Sequence, residues 1–148
     1  MRRWRNWRTL TLPKRIVPTD LEILESIYRQ YYDGFAGFQA DGPDRVAKIY
    51  VPVDLRKVAV GLGVDEDIVF GRLYYDMERR YGYKAPDGSE VNFFRLRLGD
   101  DKHCIHFPYM ASVLAELQDR RRRYNTGTRI AAFSLAVAAL SLWMSLTS

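Results

Sequence analysis

The chain has 148 residues, 47% of them hydrophobic and 28% charged, with a formal net charge of +5 and a single Cys. That is the size of one ordinary domain with a globular rather than a disordered composition, and one Cys excludes a disulfide scaffold within the chain. The charge is unevenly spread: residues 1–18 carry six basic groups and no acid, residues 19–118 carry 12 basic and 17 acidic groups, and residues 119–148 carry five Arg and Asp119. An acidic body of net −5 thus lies between basic ends of +6 and +4.

The arm, residues 1–18, begins MRRWRNWR and interleaves Trp4 and Trp7 with Arg2, Arg3, Arg5 and Arg8. It lacks the apolar h-region of a secretory signal, and the absence of Ser together with Pro13 argues against a mitochondrial transit peptide. Three surfaces suit it. At an anionic bilayer, indoles sit at headgroup level while Arg meets phosphate. On nucleic acid, Arg contacts the backbone while Trp stacks on bases. The arm is also suited to docking on a partner protein.

In residues 19–118, Thr19 and Glu22 form a capping box, and Leu21, Leu24, Tyr28, Tyr31 and Phe35 recur at helical spacing. Tyr28, Tyr31, Tyr32, Phe35 and Phe38 are more aromatics than one helical face buries. Residues 48–53 (KIYVPV) predict a short strand, with Pro52 marking a sheet edge. Asp54 caps a second helix that ends at Gly61 or Gly63. Asp65 caps a third, running to about Tyr81 with Phe70, Leu73, Met77 and Tyr81 inward. A hairpin follows around GDDK at 99–102. With Asp100–Asp101 as its turn, Leu98 faces His103, Leu96 faces Ile105 and Phe94 faces Phe107. Arg97–Cys104 and Arg95–His106 then lie on the opposite face. Pro108 opens a fourth helix with Met110, Val113, Leu114 and Leu117 inward.

This order, carried by DLRKVAVGLGVDEDIVFGRLYYDMERRYGY and the hairpin after it, resembles the winged helix-turn-helix fold. The resemblance covers residues 19–118 and lies in element order, not in a diagnostic motif. The expected fold class is α+β. In DNA-reading members the third helix enters the major groove. The resemblance therefore implies contacts from Arg72, Tyr75 and Arg79 on that helix and from Arg95 and Arg97 on the wing. Asp65, Glu66 and Asp67 at the helix start and the net charge of −5 oppose a phosphate backbone, so nucleic acid is disfavoured as a partner.

The residues carry no enzyme signature. His103 and His106 diverge across the predicted hairpin, so no metal site is expected. Cys104 has neighbours in Arg95, Arg97 and His106 that favour a thiolate, but no general base or oxyanion hole accompanies it. Gly61-x-Gly63 lacks the Lys-Ser/Thr of a phosphate loop. No cofactor is expected.

From Ile130 to Leu146 run 17 uncharged residues, about 25 Å as a helix, the short end of what a bilayer core requires. The alternative is a buried core helix. Arg120, Arg121, Arg122, Arg123 and Arg129 in the juxtamembrane segment 119–129 predict, by the positive-inside rule, a cytoplasmic body. The last residues, Thr147 and Ser148, leave no outer domain, so the expectation is a tail-anchored, single-pass protein of a bacterial inner membrane. Gly127 is a candidate hinge. Ser134, Ala138, Ser141 and Ser145 form a stripe of small residues, which in lipid lets helices approach closely. The functional expectation is a non-enzymatic adaptor that binds a protein partner or its own copy beside membrane lipid. The alternatives are a membrane-anchored nucleic-acid binder and an effector that perturbs membranes.

Overall fold

The computed structural model describes residues 17–38 and 45–147. Its elements are α1 (Asp20–Ala36), β1 (Tyr50–Pro52), α2 (Leu55–Leu62) and α3 (Glu66–Gly71), which continues through a π-helical stretch (Arg72–Met77) into α4 (Glu78–Tyr81). Then follow β2 (Tyr83–Lys84), β3 (Glu90–Val91), β4 (Phe94–Leu98), β5 (Asp101–His106) and α5 (Phe107–Thr147). The class is α+β. Helices pack on a small antiparallel sheet of order β1-β5-β4, with β2 and β3 pairing separately.

The capping box forms at α1, where the Thr19 N–H donates to Glu22 Oε2 at 2.7 Å and the Glu22 N–H donates to Thr19 Oγ1 at 3.3 Å. Ile23, Leu24 and Ile27 are fully buried, whereas Leu21, Tyr28, Tyr31 and Phe35 only flank the core. The buried line is rotated from the predicted one because aliphatic side chains take the centre, while tyrosines keep their hydroxyls near water. Asp54 caps α2 as expected, and the helix ends at Gly63 in the left-handed conformation, φ +67°. Strand β1 is shorter than predicted and lies at the sheet edge, where Pro52 sacrifices no ladder bond on its outer side.

The hairpin differs from the expected register by two residues. Phe94 faces Ile105, Arg95 faces Cys104, Arg97 faces Lys102 and Leu98 faces Asp101, so the turn is Gly99–Asp100. Gly99 has φ +59°, and a Cβ there would come within 2.7 Å of Val46 Cγ2. Only glycine fits that turn without strain. An even slip preserves faces, so Phe94 and Ile105 remain in the core. Leu96, expected inside, is 44% exposed. Cys104, expected on an open face, is fully buried. It shares its face with Pro52 and Arg95, and next to it the Arg95 guanidinium lies over the Tyr50 ring and Tyr50 packs on His106.

Helix α5 closes the core. Phe107 stacks on Tyr28 and Phe35, with ring centroids 5.6 and 4.7 Å away, and Met110, Val113 and Leu114 are buried behind it. The helix then continues to Thr147, with no break at Gly127. One glycine costs a helix only about 1 kcal/mol. The Thr126 and Thr128 hydroxyls, moreover, bond back to the carbonyls of Arg122 and Tyr124, each at 3.0 Å.

An ion cluster ties the first helix to the third. Buried Asp20 accepts from Nη2 of both Arg72 and Arg80, and Asp76 pairs with the same two arginines at 2.8 Å each. Removing the shared carboxylate leaves two guanidinium groups facing each other with one acid. Asp20→Asn is expected to lower stability by about 2 kcal/mol, less than for a fully buried pair because both arginines are partly exposed. Chemical denaturation of the full chain in detergent checks it, with exposed Arg79→Ala staying within about 0.5 kcal/mol of the parent.

Candidate functional site

Helix α5 carries the strongest feature. It is long and apolar enough to cross a membrane, and none of its most apolar window is buried against the described protein. Ile130 is 62% and Trp143 69% exposed. Among the described residues no apolar partner covers this segment, so it is not a core helix of the described fold. Ser134, Ala138, Ser141 and Ser145 are all exposed, and the Ser141 hydroxyl is satisfied within the helix by the Val137 carbonyl at 3.0 Å.

Arg120, Arg121, Arg122 and Arg123 project from the solvent-exposed part of α5 between the core and the apolar run. Arg120 pairs with Glu116 at 2.7 Å and Arg123 more loosely with Asp119 at 3.8 Å. Arg129 lies on the same helix. The arm residues Arg2, Arg3, Trp4, Arg5, Trp7 and Arg8 lie outside the described residues.

The five predicted wing and helix contacts differ in their surroundings. Arg72 is committed to Asp20 and Asp76. Arg95 is half-buried, with its Nε donating to Asn92 Oδ1 at 2.7 Å. Tyr75, Arg79 and Arg97 are exposed. Sequence reasoning missed the internal roles because an arginine at a helical or strand position does not announce which carboxylate the fold brings to it.

It also missed a groove of about 700 Å³ between the starts of α2 and α3 and the start of β5. Tyr31, Phe70 and His103 supply its rings, Asp54, Glu66 and Asp67 its acids, and Arg56 and Lys102 its bases. His103 adopts φ +54°, the one positive value at a non-glycine residue among those described. Its ring stacks on Phe94 and meets Phe70 edge-on, 6.0 Å between centroids, while its carbonyl accepts from Val53 N–H at 3.1 Å. Tyr31 accepts from the Asp54 N–H at 2.8 Å. Burial and then the Asp54 charge push its pKa above 10, against the opposing effect of that hydrogen bond, so the phenol stays neutral. The surplus of tyrosines on the first helix and the acids opening the third were the available signals.

The groove combines aromatic rings with charges of both signs. No Ser or Cys lines it, and among the described residues no three or more His, Cys, Asp or Glu cluster as metal ligands do. Cys104, raised in pKa by burial and by Asp101, is the opposite of an activated thiolate. No family model, no curated protein and no solved structure matches the chain.

Two outcomes follow for the sheet's outer face. Cys104 is expected to resist a thiol reagent at mildly alkaline pH in the folded protein and to react fully once unfolded, which thiol titration in the presence and absence of denaturant reads. Burial holds the His106 pKa below 6.5, and its Nδ1 accepts from the Tyr109 N–H at 3.3 Å in the neutral form. The unfolded chain therefore binds the proton more readily, and stability present above about pH 6.5 is lost as pH falls through and below that value. Melting curves at about pH 7.5 and about pH 5 should show the drop, and His106→Gln should flatten it.

Proposed function

We propose that this chain is a membrane-anchored interaction module: α5 crosses the bilayer and holds an acidic, winged-helix-like domain against its cytoplasmic face. The observation that carries the reading is that one unbroken helix supplies both core side chains and an uncovered apolar segment. Arginines before the apolar run and not within it support the cytoplasmic side for the body. The winged-helix reading draws support from the order helix, strand, helix, helix, hairpin, helix, and from β1 pairing with the second hairpin strand.

The adaptor role rests on the groove. Helix α1 starts beside Arg120 and Arg121 and runs away from the apolar segment, so Tyr31, nine residues beyond Glu22, is about 13 Å farther from the membrane in this arrangement. The groove is then open to the cytoplasm. Its rings and the acids Asp54, Glu66 and Asp67, which outnumber the bases Arg56 and Lys102 on a body of net −5, suit a basic protein segment with an aromatic or aliphatic anchor. Nucleic acid is served less well, because Arg72 and Arg95 are spent inside the fold. Catalysis has no constellation to support it in the groove.

Capture of partner proteins by the full chain from detergent-solubilised membranes tests the proposal. Glu66→Lys with Asp67→Lys is expected to cut capture of the bound protein at least tenfold, with an unchanged melting temperature. A full chain that co-purifies with nothing, or capture indifferent to these charges, refutes the groove as the adaptor site.

A further inference from the structure

Two adjacent tyrosines crowd one ring at the wall of the groove. Phe70 stacks on Tyr74 with 5.3 Å between centroids, and Tyr75 meets it edge to face at 6.0 Å. In an α-helix the residue four ahead is a neighbour and the residue five ahead is not. The π-helical stretch Arg72–Met77 widens the turn, with the Glu78 N–H bonded to the Leu73 carbonyl five residues back. Both tyrosines thereby reach Phe70. Phe94 and His103 press on the same ring at steep angles, 6.4 and 6.0 Å between centroids. Phe70 is fixed by four rings, yet it stays half-buried and lines the groove.

The carboxylates beside this ring have no cation of their own. Among the described residues no salt bridge engages Glu66 or Asp67, and both are exposed. Asp54 is held in place as a cap, its Oδ1 accepting from the Lys57 N–H at 3.1 Å. The Lys57 Nζ lies 5.9 Å from the Tyr31 centroid, so one ring of the groove already carries a cation. The face of an aromatic ring is negative, so Phe70 adds to the pull of the neighbouring acids. Arg56 and Lys102 are long, exposed side chains free to turn toward water, whereas Phe70 is locked.

We infer that the groove takes an arginine side chain of the bound protein, its guanidinium on the Phe70 ring and its charge against Glu66 and Asp67. This rests on the groove being the adaptor site. A guanidinium is planar, weakly hydrated and matched to carboxylate by its fork of donors, so it gains from a ring and an acid together. A lysine ammonium is more strongly hydrated and gains less from the ring. The groove's volume of about 700 Å³ exceeds what one side chain fills, so flanking residues enter as well. Their apolar group then belongs on the opposite wall, at Tyr31, Pro52 and Leu55.

The chain has two histidines, His103 at the groove and His106 on the outer face of the sheet, so one spectrum carries a probe and its reference. The full chain with isotope-labelled histidine is held in nanodiscs of neutral phosphatidylcholine, which does not collect cations. It is titrated at constant pH with N-acetyl-arginine amide and followed by nuclear magnetic resonance. The His103 signals are expected to move saturably, with a dissociation constant of about 1–10 mM, while His106 stays still. N-acetyl-citrulline amide, the uncharged isostere, should bind roughly tenfold more weakly, and N-acetyl-lysine amide about threefold more weakly. Glu66→Gln with Asp67→Gln, at exposed positions, should weaken arginine binding about threefold or more, as should Phe70→Leu. An unmoved His103, or equal binding of citrulline or lysine, overturns the inference, and so does binding indifferent to the two Gln substitutions. If capture of a partner still depends on Glu66 and Asp67 in any of those cases, the adaptor reading stands without the arginine. A chain that captures no protein removes the adaptor reading, and the partner's arginine with it, even where the amide binds.

Discussion

The contact on which the rest of the molecule depends is the packing of the first three turns of α5 against α1. Phe107 sits between Tyr28 and Phe35, and Met110, Val113 and Leu114 fill the core behind it. Each such side chain contributes roughly 1.5–3 kcal/mol by leaving water. Because the same helix runs on to Thr147, this packing also fixes how the apolar segment leaves the body. The segment is continuous with the core through backbone hydrogen bonds, not a separate element joined by a loop.

Electrostatics divides the molecule along this helix. The acids gather on the body, including Glu66 and Asp67 at the groove, while the bases gather at the arm and just before the apolar run. Where opposite charges meet inside, they are used structurally, as in the cluster of Asp20, Asp76, Arg72 and Arg80. Arg95 is spent in the same way over Tyr50. What remains exposed on the described residues is an acidic body and a run of arginines, Arg120–Arg123, just before the apolar segment.

Much of the fold was legible because local chemistry specifies it. The capping box at Thr19–Glu22, the Asp54 cap, the Gly63 stop and the edge position of Pro52 each follow from one or two residues. The hairpin register was not. Choosing between Gly99–Asp100 and Asp100–Asp101 as the turn requires knowing that Val46 presses against the bend, and that contact comes from far along the chain. The groove was hidden for the same reason: Tyr31, Phe70 and His103 belong to three elements, and nothing in their spacing joins them. The uncovered apolar run could be read directly from composition. Whether a helix would break at Gly127 could not, since one glycine weighs little against the turns on either side.

The unbroken stalk has a geometric corollary. An α-helix advances about 1.5 Å and turns about 100° per residue. Between Gln118, which hydrogen-bonds to Glu25 of the body, and Ile130, where the apolar run opens, the residue count therefore sets a compass bearing as well as a height. Adding a single residue there would swing the groove by more than a quarter turn about the helix axis while scarcely lifting it. In the proposed membrane-anchored arrangement, a neighbour's access to that groove is a matter of azimuth, governed by the number of residues in the stalk.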